Sequence, residues 1–180
     1  MFLTTDRLIL RRLVPADADH LVELDGDPDV MAFITGGAPT PRAEIEAMLS
    51  DLIADYDRFR GLGRYAAIER RTGEFVGWMS LRSDGSDEVD LGYRLRKPFW
   101  GKGYATEGAR ALIDAAFRDH GIERVYAQTM FINTRSRAVM ARVGLRHVRT
   151  LHLHFDDPIP GTELGEVEYA IARAEWEGGR

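Results

Sequence analysis

Between residues 65 and 95 the chain shows three strand patterns in a row with no helical period between them. Residues 65–70 meet 75–81 across a turn at Thr72-Gly73, and residues 83–87 turn the chain into 89–95. Connections this short cannot cross over, so the meander must form an antiparallel half-sheet. The pattern then changes. Pro98 and a glycine-bearing loop lead into a helix over 104–117, packed through Ala105, Ala109, Leu112, Ala116 and Phe117, and a strand over 124–130 follows. Strand, loop, helix and strand read as a βαβ crossover, which puts one parallel pair at the centre of a mostly antiparallel sheet.

The flanks fit that frame. Residues 4–13 alternate, with Leu8 and Leu10 on one face, and Pro15 opens a helix carrying Leu21, Val22 and Leu24. Thr40 as cap and Pro41 as first residue suit a second helix, with Ile45, Met48, Leu49, Leu52, Ile53, Tyr56 and Phe59 as its apolar stripe. Asn133 caps a short helix that Gly144 ends, and two last strands, 145–153 and 167–172, flank a turn-rich loop over 156–165. The expected fold is one α/β domain over residues 1–180: a single mixed, mostly antiparallel sheet with a central, splayed parallel pair and helices on both faces.

Composition removes several functions. With no cysteine there is no disulfide scaffold, thiolate metal site or cysteine nucleophile. No apolar run is long enough to span a bilayer, and Asp6 and Arg7 precede any apolar stretch, so a cytoplasmic protein with no membrane partner is expected. The net charge of −5 hides an asymmetry: residues 94–149 hold 12 Lys or Arg against 4 Asp or Glu, a local +8. A basic middle in an acidic chain suits a phosphate-bearing ligand or a solvated surface, whereas the acidic remainder would repel nucleic acid. His152 and His154 share a strand face, but nothing completes a ligand set, so no metal is expected.

The chemistry concentrates in residues 90–107, DLGYRLRKPFWGKGYATE. Gly101, Gly103 and Ala105 let a ligand approach the backbone where the helix starts, and the unpaired first-turn amides and the helix dipole favour phosphate there. Lys102 adds a charge. It is not a Walker loop, and Thr106 stands where a dinucleotide fingerprint has its third glycine. A tight strand-to-helix loop needs the same residues. Gly92, inside a good strand, marks either a bulge that splays this strand from the next, opening a gap for an extended amide-bearing ligand, or a packing contact beneath Trp78 or Trp100.

Asp-Leu-Gly-Tyr-x-Leu (90–95), Trp-Gly-Lys-Gly-Tyr-Ala-Thr-Glu (100–107), Asn133-x-x-Ser136 and Val-Gly-Leu (143–145) together resemble the GNAT superfamily of N-acetyltransferases. Thr5-Asp6-Arg7-Leu8-Ile9-Leu10-Arg11 and Glu175-Trp176 resemble its ribosomal-protein N-terminal acetyltransferase branch. The resemblance implies acetyl-CoA as co-substrate and an amine as acceptor. By it, the backbone of Tyr93, Arg94 and Leu95 pairs with the pantetheine arm. Gly101, Lys102, Gly103, Tyr104, Ala105 and Thr106 hold the pyrophosphate, and Asn133 and Ser136 sit near the thioester. Trp100 replaces the family's common Gln or Arg. Met140 replaces the tyrosine that protonates the departing thiolate in many members, which turns attention to Ser136 or water as the proton donor.

For the amine proton, Glu88 and Asp90 share a strand face with Gly92, and either can serve as base, directly or through water, or form a cross-strand ion pair with an arginine. Glu107, at the phosphate end of its helix, suits a structural role. Glu166 and Glu168 either hold a cationic acceptor or face solvent. An N-acetyltransferase acting on a protein N-terminus or a small amine is therefore expected. A catalytically silent acyl-CoA sensor on the same fold is the alternative, and a dinucleotide oxidoreductase is a weak third. A homodimer is allowed for. The first two helices and the late loop, which set the acceptor in the family, carry only acidity (Glu23, Asp25, Asp27, Asp29), which suits a cationic partner or a solvated face.

Overall fold

A computed structural model describes residues 3–59 and 61–179. Its eight strands form one sheet in the order β1-β2-β3-β4-β5-β6-β8-β7. The strands are β1 (Leu3–Thr4), β2 (Leu8–Arg12), β3 (Gly63–Glu69), β4 (Phe75–Arg82), β5 (Glu88–Leu95), β6 (Arg124–Met130), β7 (Arg146–Leu151) and β8 (Glu166–Ala172). Only β5 and β6 pair in parallel; every other neighbour is antiparallel. The mixed sheet expected from the meander and crossover is the one observed.

Six helices cover it: α1 (Ala18–Asp25), α2 (Pro28–Met31), α3 (Arg42–Arg58), α4 (Tyr104–Asp119), α5 (Thr134–Arg142) and α6 (Arg173–Gly178). They bury two cores on opposite faces. On one face α1 and α3 supply Leu21, Leu24, Ile45 and Leu49, which pack on Ala66, Phe75 and Trp78 of the sheet. On the other, α4 lays Ala109, Leu112, Ile113, Ala116 and Phe117 onto Leu8, Met79, Val89 and Val125.

Several local expectations shift. The strand expected over 4–13 is broken, because Thr5 accepts from Leu8 N at 2.9 Å through its hydroxyl and donates its own N–H to Leu8 O at 2.9 Å. That turn folds β1 back on β2. Thr40 does not cap α3: its N–H donates to Asp25 O at 3.1 Å, and Pro41 occupies the N-cap. The short α2 arises because Asp27 Oδ1 accepts from Asp29 N at 2.9 Å ahead of a proline in the first turn. The unforeseen α6 is anchored by Trp176, whose ring lies 5.2 Å from that of Phe117.

Candidate active site

The pairing of β5 with β6 lasts only from Glu88–Arg124 to Asp90–Tyr126, although β5 continues to Leu95 and β6 to Met130. Beyond Asp90 the two strands splay. The ladder between β4 and β5 is regular throughout, so no bulge at Gly92 causes this. Gly92 instead makes room for neighbours: a Cβ there would lie 2.6 Å from Ser80 Oγ and 3.3 Å from the Trp78 ring. Of the two sequence readings of this glycine, the packing contact beneath Trp78 is the observed one.

The phase of that ladder decides which backbone groups face the gap. Arg96 N donates to Val76 O at 2.9 Å across directly opposed residues. Hydrogen-bonded pairs alternate along antiparallel strands, so Arg94 also turns its backbone groups toward β4, whereas Tyr93 and Leu95 turn theirs toward the splay. The Leu95 carbonyl there accepts from Trp100 Nε1 at 2.7 Å. Arg94 thus reaches a ligand only through its side chain, a refinement of the three-residue expectation.

At the end of β5 the chain passes a short 3-10 turn and two left-handed glycines, Gly101 (φ 70°) and Gly103 (φ 83°), before α4 begins. The first intrahelical bond of α4 runs from Glu107 N to Gly103 O at 3.0 Å, and no side chain caps the amides of Gly103, Tyr104, Ala105 and Thr106 that precede it. A Cβ at Gly101 would meet nothing within 4 Å, so that backbone is open to approach. Lys102 is exposed beside it. Glu107 has the structural role expected. It accepts from Thr5 Oγ1 (2.5 Å), Arg7 N (2.8 Å) and Arg7 Nε (2.6 Å), and Arg7 Nη1 donates to Lys102 O at 2.8 Å. Burial pushes the Glu107 carboxyl up, but these hydrogen bonds outweigh it and hold it below its usual value. The β1–β2 turn thereby clamps the loop.

Asn133 caps α5 as expected: its Oδ1 accepts from Ser136 N at 3.2 Å, and its Nδ2 donates to Thr129 Oγ1 at 3.0 Å. One turn in, Ser136 Oγ lies 3.0 Å from Tyr93 Oη, which also donates to Ser136 O at 3.1 Å. Burial pushes the Tyr93 phenol up to about 12, partly offset by the bond to Ser136. Met140 is buried in the α4-side core and offers no proton. Sequence reasoning placed Tyr93 by its backbone and missed this hydroxyl pair; alternation along β5, which sends Tyr93 to the α4 face, was the available signal.

On the opposite face a cleft of about 700 Å³ opens between α3 and strands β4, β5, β6 and β8. Both sequence-predicted bases line it, each in a cross-strand ion pair: Asp90 with Arg82, and Glu88 with Arg124 at 2.6 Å. Glu168 neither faces solvent nor stands free for a cationic acceptor. It is buried and accepts from Arg124 Nη2 (2.7 Å), Arg149 Nη2 (2.8 Å) and Gln128 Nε2 (2.9 Å). Its neighbour Glu166 is pushed up by burial. The segments expected to set the acceptor touch one another, since the Cβ position of Gly36 would lie 3.1 Å from Ile159 Cγ2. Among the described residues, no group of three or more His, Cys, Asp or Glu is placed to hold a metal ion. No helix among them is long and apolar enough to cross a membrane.

Residues 7–146 match the family model described as Acetyltransferase (GNAT) domain. The chain belongs to the GNAT acetyltransferase family. It is 39% identical over 176 residues to the FsC-acetyl coenzyme A-N(2)-transacetylase of Aspergillus fumigatus, spanning 91% of this chain and 74% of that protein. It is 28% identical over 182 residues to YdaF of Bacillus subtilis, a protein provisionally named for ribosomal N-acetylation, spanning 96% and 95%. A GNAT-family acetyltransferase from Bacillus anthracis shares the fold with a TM-score of 0.81 at 24% identity, over 97% of this chain and all of that one.

As a GNAT enzyme the chain is an acetyl-CoA-dependent N-acetyltransferase, and its architecture fits that donor. The open edge of Tyr93 and Leu95 suits an extended arm with amides, and the uncapped start of α4, with Lys102 beside it, suits a pyrophosphate.

Proposed function

We propose that this enzyme transfers the acetyl group of acetyl-CoA to a primary amine by direct attack within a ternary complex. The observation that carries the reading is the splay after Asp90, with the Tyr93–Ser136 hydroxyl pair on one face of the sheet and the carboxylate-lined cleft on the other. Donor and acceptor can then approach from opposite faces with no covalent enzyme intermediate. The donor supplies an activated acyl carbon. The amine nitrogen bonds to it, the carbon–sulfur bond breaks, and the acetyl group leaves as an amide.

In this reading Asp90 or Glu88 receives the amine proton through water. The departing thiolate takes a hydrogen bond, and finally a proton, from Ser136 or a water beside it. The Gly101–Thr106 loop and the cap residue Asn133 position the donor.

The N(2)-transacetylase similarity favours a small-molecule amine as acceptor. A second reading, the N-terminal amine of a ribosomal protein, draws on the similarity to YdaF and on the 5–11 motif. Thiol release from acetyl-CoA, followed across small amines and N-terminal peptides, tests both. Turnover with small amines alone supports the first, turnover with peptides alone the second, and no turnover with either class refutes acetyl transfer to amines.

A further inference from the structure

On the face of the sheet turned away from α4, two arginines lie over the ring of Trp78. The Arg64 guanidinium lies 4.0 Å from the ring centroid and that of Arg94 5.2 Å. Asp25 supplies the one carboxylate, which accepts from Arg94 Nη1 at 2.6 Å. Arg64 forms no ion pair among the described residues; its Nη1 meets only Met48 Sδ, at 3.3 Å. Arg64 Nε, Arg94 Nε and Trp78 Nε1 are all buried without an acceptor.

Such an arrangement is costly for a fold to keep. A largely buried cation without a counter-ion loses hydration, and each unsatisfied donor adds its own penalty. Burial and the neighbouring Arg94 draw the Arg64 guanidinium down to about 10. Packing alone would be served by a methionine or a leucine. One uncompensated positive charge on this stack, on arginine side chains that remain partly exposed, has the chemistry to hold an anion. With Asp25 neutralising one guanidinium, the excess of one charge matches a monoanion, and planar guanidinium forks match the two oxygens of a carboxylate.

The location says which ligand brings it. The uncapped amides of α4 suited to phosphate lie on the other face of the sheet. None of the stack's residues lines the cleft, but the stack lies on the cleft's face of the sheet and adjoins its wall through Gly63, next to Arg64, and Leu52, one turn from Met48. It also flanks Gly92, at the start of the splay.

We propose that Arg64 and Arg94, held on Trp78, bind a carboxylate of the acceptor, so that the substrate is an amine carrying its own carboxylate. The inference rests on the acetyl-transfer reading and narrows it. It also replaces the cationic partner suggested by the acidity of residues 23–29, because Asp25 is occupied by Arg94 and Glu23 by Arg96.

The test compares amines that differ only in the carboxylate, L-ornithine against putrescine and L-phenylalanine against phenethylamine, with acetyl-CoA as donor. The carboxylate-bearing twin is expected to show a kcat/KM at least about tenfold higher. Arg64→Gln should collapse that ratio toward one, with Arg64→Lys in between, since lysine keeps the charge and loses the fork. A ratio near one in the wild type, or one that survives Arg64→Gln, overturns the proposal. So does an Arg64-dependent preference for succinyl-CoA over acetyl-CoA, which would put the carboxylate on the donor.

A second arm needs no turnover and separates failure of the subsite from failure of the transferase reading. N-acetylglycine should raise the melting temperature by a degree or more beyond N-acetylglycinamide, and Arg64→Gln should abolish the difference. Equal shifts from acid and amide overturn the subsite even if no amine in the panel is acetylated. A lower melting temperature of unliganded Arg64→Gln, with the acid–amide difference intact, would mark Arg64 as structural and overturn it too.

Discussion

The Tyr93 hydroxyl lies 3.0 Å from Ser136 Oγ and 3.1 Å from the Ser136 carbonyl, joining the C-terminal end of β5 to the first turn of α5. A phenol has one proton. If Tyr93 gives it to Ser136 Oγ, the serine accepts there and its own proton is left free, turned away from Tyr93, for a departing thiolate. Serine is a weak acid, but a thiol has a pKa near 8.5, so the departing thiolate needs only an oriented hydrogen bond at neutral pH.

Ser136→Ala is therefore expected to lower kcat about ten- to a hundredfold with little change in CoA affinity. Tyr93→Phe, which frees the serine rotor, should cost a smaller factor in kcat and about 1 kcal/mol of stability. With its phenol held near 12, Tyr93 stays protonated, so the kcat profile should show no alkaline limb from it below pH 10. Steady-state rates at saturating acetyl-CoA decide the matter. An unaltered kcat in Ser136→Ala leaves water as the only proton donor.

The donor loop makes a separate prediction. Gly103 opens α4 in the left-handed region, and a Cβ there would lie 3.2 Å from Arg7 Nη2. Gly103→Ala should thus cost about 1–2 kcal/mol of stability and also weaken CoA binding, because the loop amides shift with the backbone. Lys102→Ala should weaken CoA binding more mildly, with most of the loss removed by salt, since the lysine is exposed. Calorimetric titration with CoA at low and high ionic strength measures both. A Lys102→Ala deficit that persists undiminished in high salt would argue against a charge contact.

The sheet was legible because its evidence is periodic: alternation set β3, β4 and β5, and the Pro98–Gly103 punctuation set the crossover. What escaped the sequence were contacts between distant segments. The Thr5 turn closes locally on Leu8, but Thr5 and Arg7 are also held by Glu107, about a hundred positions away, which nothing within residues 4–13 marks. The arginine stack on Trp78 likewise needs three strands in register before it exists. Gly92 left two readings open because a bulge and a close neighbour both suit glycine, and the unbroken ladder with the Ser80 hydroxyl and Trp78 ring beside it distinguishes them.

Glu168 gives the chain an acid-sensitive bond. Burial pushes its carboxyl up, but hydrogen bonds from Arg149, Gln128 and Arg124 prevail and hold it down at about 2. An unfolded glutamate titrates near 4.3, so the stabilisation is fully present above that pH and is lost as pH falls from there toward 2. Glu168→Gln should cost about 3 kcal/mol at pH 7, because it strands two arginine contacts. Urea unfolding at pH 7 and pH 3 should show the gap between wild type and variant narrowing in acid. A gap of equal size at both pH values would show that the charge of Glu168 is not what stabilises the fold.

Gly92 carries the last prediction. An alanine there would bring Cβ to 2.6 Å from Ser80 Oγ and 3.3 Å from the Trp78 ring, in a ladder with no bulge to absorb the displacement. Gly92→Ala should therefore cost about 1–3 kcal/mol, the usual range for overpacking a filled site. Much of the penalty belongs to one oxygen atom. Removing it with Ser80→Ala in the same chain should restore stability, giving a coupling of about 1 kcal/mol or more in a double-mutant cycle of melting or urea midpoints. The Trp78 contact remains in the double variant, so recovery should stop short of wild type. Additive costs from the two substitutions would mean that the Trp78 ring, rather than the Ser80 hydroxyl, sets the limit at Gly92.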